Sequence, residues 1–402
     1  MTYEWNHSTI NDVCVLVTDG SHSSPKSVND GKYMVSVKDF TDYGFDFASC
    51  RMISNDDYET LKRNGCVPQM DDILIGKDGA RFFEDIIIYR QKEKPALLSS
   101  IAILRCDKSK ILPDFLYYVL RTPSFRQDVK DNYGSGSAIP RIILKDFKRM
   151  MVSYPSLEKQ QSIISVLTAI DSKIQANTEI NDNLYAQARA IKRQWVAKSK
   201  DRYELLPLNE VAAINPDTYS PKEAWEYVNY LDTSSITNGF IADIQHIVPS
   251  SEKLPSRARR KVAAGDVLFS TVRPNQNHFG IISDPLPNML ASTGFAAIRS
   301  KNPLVCNELI YLCLTELDFI EKMQQLAEQS TSTFPSIKPS DLGTCQIPCP
   351  KDESSDAFTD TLKSLFALIA ENFRENSSLA TMREALLPKL MSGEIDVSAV
   401  QL

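Results

Sequence analysis

A long internal repeat constrains the fold of this 402-residue chain more than any other feature. The run DIL at 72–74 recurs as DVL at 266–268, and Arg105 recurs as Arg299. Matching segments continue at an offset of 194 to 195 residues along most of the chain. The period is too long for a solenoid, whose units have about 20–50 residues. The repeat predicts two copies of one module, each a globular part followed by a long helix.

The two globular parts have the same mixture of local patterns. Short β-rich runs such as KYMVSV at 32–37 and DVLFSTV at 266–272 are bounded by Asn, Asp and Gly turn residues. Helices are predicted at 113–130, where Pro113 suits a first helical turn, and near 307–329. Strands and helices are mixed rather than strictly alternating, so the patterns favour an α+β fold over a doubly wound sheet.

Two further segments carry a heptad pattern that is typical of long paired helices. Seam residues are spaced by four and three from 163 to 195, and the pattern recurs from 358 to 390. Each segment has ten layers and would be about 48 Å long as a helix. The pattern predicts a coiled coil, and an amphipathic helix that packs on its own domain is the alternative.

A pair of asparagines lies at the centre of each heptad segment. They occupy the fifth and sixth layers: Asn177 and Asn181 in the first segment, Asn372 and Asn376 in the second. An antiparallel pair would bring Asn177 opposite Asn376 and Asn181 opposite Asn372, so that the amides satisfy one another and fix the register. Arg383 would then face Ile170. Pro388 is predicted to end or kink the second helix early.

The predicted architecture is therefore α+β, with two similar mixed α/β domains separated by two long helices in an antiparallel coiled coil with pseudo-twofold symmetry. The predicted boundaries are 1–155 for the first domain, 156–203 for the first helix, 204–350 for the second domain, and 351–402 for the second helix and tail. The antiparallel helices would act as a spacer that fixes the distance between the two domains, and their length exceeds one turn of B-DNA, about 34 Å.

Composition excludes several classes of protein. No apolar run approaches the roughly 20 residues that span a bilayer, and the N-terminus does not resemble a signal peptide. A cytoplasmic protein without a membrane partner is expected. The eight cysteines contain no C-x-x-C pair and the four histidines are scattered, so reduced thiols and no metal site are expected.

The charge balance requires any anion-binding surface to be local. Residues 1–155 hold 21 basic and 21 acidic side chains, and residues 201–350 hold 12 and 17. A nucleic-acid interface would therefore occupy one face, leaving acidic surface for other partners. No catalytic motif is found. GKDGAR at 76–81 lacks the spacing of a phosphate loop, and the NPDT run at 215–218 is interpreted as a turn.

Candidate DNA contacts combine cations with amides and hydroxyls near the ends of predicted strands. Arg suits guanine, and Asn or Gln suits adenine, because each can bond two atoms of a base edge. The candidates after the DVLFSTV strand are Arg273, Asn275, Gln276, Asn277 and His278, with Lys77 and Arg81 as counterparts in the first half. The densest basic cluster, a candidate for phosphate contacts, is Arg257, Arg259, Arg260 and Lys261. Two Ser/Thr-rich loops add Ser135, Ser137 and Arg141, mirrored by Ser332, Thr333 and Lys338. An ordinary polar loop, a solvated charge run and plain turn chemistry remain the alternatives for the three groups.

Several motifs, in order and duplicated, resemble the specificity subunits of type I restriction-modification systems. They include TDGSHSSPK at 18–26, the segment 135–174, AGDVLFSTVRP at 264–274, the segment 330–350 and LLPKLMSGEI at 386–395. The resemblance covers nearly the whole chain. It implies two target recognition domains, each reading one half of a bipartite, asymmetric site in double-stranded DNA. The helices would set the gap between the two half-sites and dock two modification subunits.

The resemblance also implies that this chain is not an enzyme and holds no cofactor. Modification subunits carrying S-adenosylmethionine would methylate adenine, and restriction subunits would use ATP and Mg²⁺ for translocation and cleavage. Two other classes of protein compete with this interpretation. A self-sufficient methyltransferase-nuclease would need several hundred more residues and a cofactor loop. A non-catalytic structural pseudo-dimer that holds two protein partners apart is the stronger alternative, because the chain is acidic overall.

Overall fold

The computed structural model describes residues 5–79, 81–134, 140–330 and 335–397. The chain divides into two compact units. The first unit contains the residues up to Lys173 together with those from Ser378 onward, and the second unit is Ile174–Ser377. In the part of the chain that is described, no helix has the length and apolar character needed to cross a membrane.

The first unit is built from short strands and five short helices around the start of one long helix. The strands are β1 Asn6–Thr9, β2 Cys14–Asp19, β3 Lys32–Val35, β4 Phe40–Thr41, β5 Gly44–Phe45, β6 Arg51–Ile53, β7 Ile73–Gly76, β8 Ile86–Ile88, β9 Ala96–Leu97, β10 Ile101–Cys106 and β11 Met151–Tyr154. The helices are α1 Ile10–Val13, α2 Asn55–Arg63, α3 Pro113–Arg121, α4 Pro123–Asn132, α5 Leu144–Arg149 and α6 Leu157–Lys198, of which the last continues into the second unit.

The second unit repeats this order of elements, except that a strand, β18, stands where the first unit has helix α2. Its strands are β12 Tyr203–Pro207, β13 Ala212–Ile214, β14 Val228–Leu231, β15 Ile236–Thr237, β16 Phe240–Ile241, β17 Gln245–Ile247, β18 Ala258–Lys261, β19 Asp266–Ser270, β20 Phe279–Ile282, β21 Met289–Ser292, β22 Phe295–Ser300 and β23 Gln346–Pro350. Its helices are α7 Leu208–Val211, α8 Asn307–Leu314, α9 Leu317–Glu328, α10 Pro339–Leu342 and α11 Asp356–Ser392, of which the last returns to the first unit.

The sheets of the two units correspond one to one. The antiparallel sheet β2-β10-β7-β8 corresponds to β13-β22-β19-β20, the ribbon β1-β11 to β12-β23, and the hairpin β4-β5 to β15-β16. The sheet β6-β3-β9 has the same central parallel pair as β17-β14-β21-β18, which has one additional edge strand, β18. The predicted α+β fold with two similar domains is confirmed.

A buried ion pair recurs at the same place in both units. Arg105 on β10 donates two hydrogen bonds of 2.8 Å to the carboxylate of Asp72, which is 0% exposed. Arg299 on β22 makes the same two-pronged contact with Asp266, at 2.7 and 2.8 Å. The carboxylate raises the pKa of the Arg299 guanidinium above its ordinary value. These residues are the repeat signals of the sequence, and their conservation between the two copies reflects this shared contact.

In each unit the long helices run antiparallel and also pack against the domain core. Ile163 and Leu167 of α6 share the first core with Leu387 and Leu390 of α11. In the second unit, Leu362, Phe366 and Ile369 of α11 are buried with Ala188 of α6, and Phe366 packs edge-on against Tyr311 of α8. The coiled-coil interpretation and its alternative therefore both describe these helices.

The four seam asparagines hydrogen-bond in the two predicted pairs, all within the second unit. Asn177 Nδ2 donates to Asn376 Oδ1 at 2.9 Å, and Asn372 Nδ2 donates to Asn181 Oδ1 at 2.7 Å. Asn177 also donates to Glu375 at 2.7 Å. Within the described residues, Asn177 Oδ1 is buried without a hydrogen-bond partner. The amides therefore define the register and leave one acceptor unsatisfied.

Replacing Asn177 and Asn376 together by leucine is expected to stabilise the second unit by about 1–2 kcal/mol, because an imperfectly satisfied buried amide pair gives way to apolar packing. Chemical denaturation of the full chain measures the change. The matched control is Asn177→Leu alone, which leaves the buried Asn376 Oδ1 without its donor and is expected to be destabilising. Loss of stability in the double variant would contradict the expectation.

Two details of the helix pair were not predicted. Arg383, predicted to face Ile170, has an acidic partner in the adjacent residue. Its guanidinium donates to the neighbouring Asp171 at 2.7 Å, and Asp171 also accepts a 2.6 Å hydrogen bond from Tyr118 of α3. The predicted early end of the second helix at Pro388 is wrong, because α11 continues to Ser392 with the proline inside. The alternative, a kink at Pro388, stays a prediction. Buried leucines on either side of the proline belong to the first core, so packing offsets the missing backbone hydrogen bond.

Candidate nucleic-acid interface

In the first unit, two of the segments predicted to contact DNA cross each other. The first corner is the crossing of residues 77–79, which follow β7, with residues 140–142, which precede α5. Two backbone hydrogen bonds of 2.9 and 3.0 Å hold the crossing, and Asp78 and Arg141 form an isolated antiparallel bridge. Gly79 has φ +98, the left-handed region that glycine tolerates best.

The second unit contains the same crossing, which we call the second corner. Residues 271–273 follow β19 and cross residues 335–337, which precede α10. Two backbone hydrogen bonds, both of 2.9 Å, occupy the matching positions, and Val272 and Ser336 form the bridge. Arg273 takes the place of the first corner's glycine and also has a left-handed backbone, with φ +47.

The structure places the first unit's candidate cations in different environments. Lys77 is 3% exposed, and its ammonium lies 3.3 Å from Asp19 and 3.7 Å from Asp78. This burial argues against a direct DNA contact by Lys77 and favours a role in holding β2 against the corner. Arg81 is 73% exposed and pairs with Asp85 at 2.8 Å and with Glu84 at 3.6 Å. Acidic neighbours thus partly neutralise Arg81.

Arg141 and Lys338 are both exposed, one at the first corner and the other directly after the second. The Lys338 backbone N–H donates to Asp341 at 2.7 Å, so this residue begins α10 while its side chain stays at the surface. Four further candidates lie outside the described residues: Ser135, Ser137, Ser332 and Thr333.

The polar run after Arg273 forms a tight turn rather than an extended loop. Residues Pro274–Gln276 make one turn of 3-10 helix, and Asn277 follows with φ +56. Asn275 and Gln276 are exposed, whereas the His278 ring is held 2.7 Å from the carbonyl oxygen of Ile236. The two amide residues therefore lie at the surface, and the histidine connects the turn to the hairpin β15-β16.

The basic cluster lies on and just before the edge strand β18. Arg257 is exposed, Arg259 Nε donates to the Ser256 carbonyl at 3.2 Å, and Lys261 pairs with Glu223 at 2.6 Å. Arg260 Nε is buried, with no hydrogen-bond partner among the described residues, and burial lowers the pKa of its guanidinium. Across residues 5–79, 81–134, 140–330 and 335–397, neither Arg257 nor Arg259 nor Arg260 forms an ion pair.

A short turn between β21 and β22 connects the basic cluster to the second corner. The Thr293 N–H donates to the Arg257 carbonyl at 2.8 Å, and the Thr271 N–H donates to the Gly294 carbonyl at 2.8 Å. Sequence reasoning did not single out this turn, because Thr-Gly is common turn chemistry without charge. Its position between two predicted sites became visible only through these backbone contacts.

The first unit fills the place of β18 differently. Beside β9, Ser21 occupies the edge position and forms a parallel bridge with Leu98. The Lys77 N–H donates to the Ser100 carbonyl, as the Thr271 N–H donates to the Gly294 carbonyl in the second unit. Ser21 belongs to the TDGSHSSPK run, whose Asp19 holds the buried lysine. The two units therefore share a scaffold and differ at the surface beside it.

The NPDT run at 215–218 is a turn whose side chains make contacts within the fold. Asn215 Oδ1 accepts the Ala297 N–H at 3.0 Å, and Asp217 accepts from Arg299 at 2.9 Å. Among the residues that the structure describes, no group of three or more His, Cys, Asp or Glu side chains could hold a metal ion.

Comparisons with known proteins agree with this architecture. Residues 3–186 match the family described as the Type I restriction modification DNA specificity domain. The specificity subunit of the type I restriction enzyme HindI of Haemophilus influenzae is 21% identical over 372 residues, covering 73% of this chain and 80% of the relative. The MjaIX specificity subunit of Methanocaldococcus jannaschii is 26% identical over 316 residues, covering 72% of this chain and 71% of the relative.

A solved structure has the same fold. The type I restriction-modification S subunit of M. genitalium is 17% identical, with a TM-score of 0.52 over 96% of each chain. The duplicated α+β units and their long helices are thus the fold of that S subunit as well. Residues 3–186 carry the type I restriction modification DNA specificity domain, and the relatives that cover most of the chain are specificity subunits, which confirms the resemblance stated from the sequence. The roles of the individual candidate residues and the predicted domain boundaries stay predictions.

Proposed function

We propose that each unit reads one half of a bipartite, asymmetric DNA site, while the paired helices fix the gap and dock two modification subunits. This chain is then a non-catalytic subunit. S-adenosylmethionine would bind the modification subunits, and ATP and Mg²⁺ the restriction subunits of the same complex. Because such a complex acts on DNA, a cytoplasmic location is part of the proposal.

One observation carries this proposal. The two units repeat every sheet and the same corner, yet the exposed side chains at those corners differ. A recognition protein for two different half-sites needs such an arrangement, because backbone geometry positions the protein and side chains select the bases. A spacer between two identical protein partners would not require divergence at matched surface positions.

Three arginines of the second unit that form no ion pair within the described residues support DNA as the partner. Arg257, Arg259 and Arg260 form no ion pair within the described residues, although the second globular part is acidic overall. The desolvated guanidinium of Arg260 would gain from an anion nearby, and phosphate is the anion that DNA supplies. The cluster also lies beside the second corner, so phosphate contacts there would position the corner on the duplex.

The double variant Arg257→Ala/Arg259→Ala is expected to flatten the salt dependence of DNA binding. Each lost phosphate contact reduces the slope of log affinity against log salt by about 0.9, so the slope should fall by up to about 2. The measurement is a salt titration of the full chain, assembled with the modification subunit, on a duplex bearing the methylated sequence. Arg81→Ala is the matched control, because that exposed arginine already pairs with Asp85.

The same titration separates the competing functions. Affinity that falls steeply with salt supports a DNA-binding subunit. No binding to the duplex, with modification subunits still bound, would favour the alternative of a structural pseudo-dimer holding two protein partners apart. An unchanged slope in the double variant would exclude the basic cluster as the phosphate-binding surface.

A further inference from the structure

The two corners each present one exposed arginine, but from opposite segments of the crossing. In the first corner the arginine is Arg141, on the segment that precedes α5, and the glycine Gly79 lies on the other segment, next to Asp78, which bridges Arg141. In the second corner the arginine is Arg273, at the glycine's position, and the small residue Ser336 occupies the place of Arg141. An alignment of the repeat pairs Arg141 with Ser336 and Gly79 with Arg273, so it does not show that each corner has one exposed arginine.

The backbone of Arg273 indicates a functional reason for this exchange. A left-handed conformation costs a non-glycine residue free energy, and the first corner avoids that cost with Gly79. A Cβ placed on Gly79 would have no atom within 4 Å, so a side chain at this position projects into open space. A costly backbone conformation at an exposed residue is typical of functional sites, where strain is retained for a role other than packing.

We propose that Arg141 and Arg273 are functional equivalents, each reading a guanine in the half-site bound by its own unit. Arginine can bond both O6 and N7 of guanine in the major groove, a contact that lysine cannot make in the same two-pronged way. The inference rests on the proposed bipartite reading and goes beyond it by naming the specificity-determining side chain of each unit. It also requires a guanine in both half-sites.

Mapping of methylated adenines tests this directly. Cells without other adenine methylation would express the modification subunits with the full chain, either wild type or carrying Arg141→Ala, Arg141→Lys, Arg273→Ala or Arg273→Lys. We expect both Arg273 variants to lose roughly tenfold or more of the discrimination at one guanine, because one two-pronged contact is worth about a factor of ten. Both Arg141 variants should relax one guanine in the other half-site.

The lysine variants separate base reading from charge. Lysine keeps the positive charge, so a phosphate-contacting residue would retain the wild-type methylation motif after substitution by lysine. The control is Arg63→Ala, an exposed arginine of α2 that is not a candidate DNA contact, and it should retain the motif and the extent of methylation. Arg257→Ala represents loss of a phosphate contact and should lower methylation equally at all sites while retaining the motif.

The variant Arg273→Gly separates reading from folding. It restores the residue type of the first corner and relieves the left-handed backbone, so the chain should still unfold cooperatively, while discrimination at the guanine should be lost. Retained discrimination in this variant would overturn the assignment of Arg273.

Several other results would also overturn the inference: a half-site without guanine, relaxation of the same half-site by both arginines, or an unchanged motif in all variants. These outcomes leave bipartite reading itself intact. Failure of the proposed function gives a different result, since the wild-type chain would then produce no bipartite methylated motif at all.

Discussion

Replacing Arg299 by methionine is expected to destabilise the second unit by about 3–5 kcal/mol. The substitution leaves the carboxylate of Asp266, which is 0% exposed, without the guanidinium that donates two hydrogen bonds to it. A buried charge that loses its partner is far more costly than an ion pair at the surface. Hydrogen exchange of the full chain, resolved by peptide, measures the loss in each unit.

The duplicated pair provides the controls for this experiment. Arg105→Met removes the equivalent partner of Asp72, so its effect should appear in the first unit and not in the second. The double variant Asp266→Leu/Arg299→Met removes both charges and should recover most of the stability. A loss below about 1 kcal/mol in Arg299→Met would mean that water and the Ala263 N–H satisfy the Asp266 carboxylate without the guanidinium.

Removing one heptad from both helices is expected to shorten the gap between the two half-sites by about three base pairs. Seven helical residues span about 10 Å, and ten base pairs span about 34 Å. The observed asparagine pairs define facing residues, so the deletion of 173–179 on α6 should be matched by 374–380 on α11. Mapping of methylated adenines gives the new gap.

Two comparisons make the deletion informative. The shortened chain keeps the heptad phase, so it should fold, whereas removal of four residues from each helix shifts the phase and should reduce stability. Deletion on α6 alone breaks the facing of Asn181 with Asn372 and should abolish sequence-specific methylation. An unchanged gap in the stable matched deletion would show that the helices do not set the spacing.

The duplicated fold could be predicted from sequence because its signals are local and repeated. The heptad spacing specified the two long helices, and the asparagine positions specified which residues hydrogen-bond across them. Pro388 could not be interpreted in the same way. Local propensity places a helix end there, whereas the buried leucines around it continue the helix through contacts that are distant in sequence.

The candidate site was less predictable, because charge in a sequence does not reveal how a side chain is paired. Lys77 was chosen as a cation at a strand end, yet Asp19, distant in sequence, buries it in an ion pair. Arg257 and Arg273 lie in separate segments, and the Thr293–Gly294 turn connects them through backbone hydrogen bonds. The equivalence of the two corners also depends on backbone conformation, which an alignment of residues does not contain.

The second unit is one continuous stretch of chain, whereas the first unit is interrupted by it. During synthesis the second unit is complete once Ser377 has emerged, but the first core still lacks Leu387, Leu390 and Val397. The half of the protein that is translated first can therefore only complete its core last. A premature stop near residue 378 would spare the later-encoded unit and disable the earlier one.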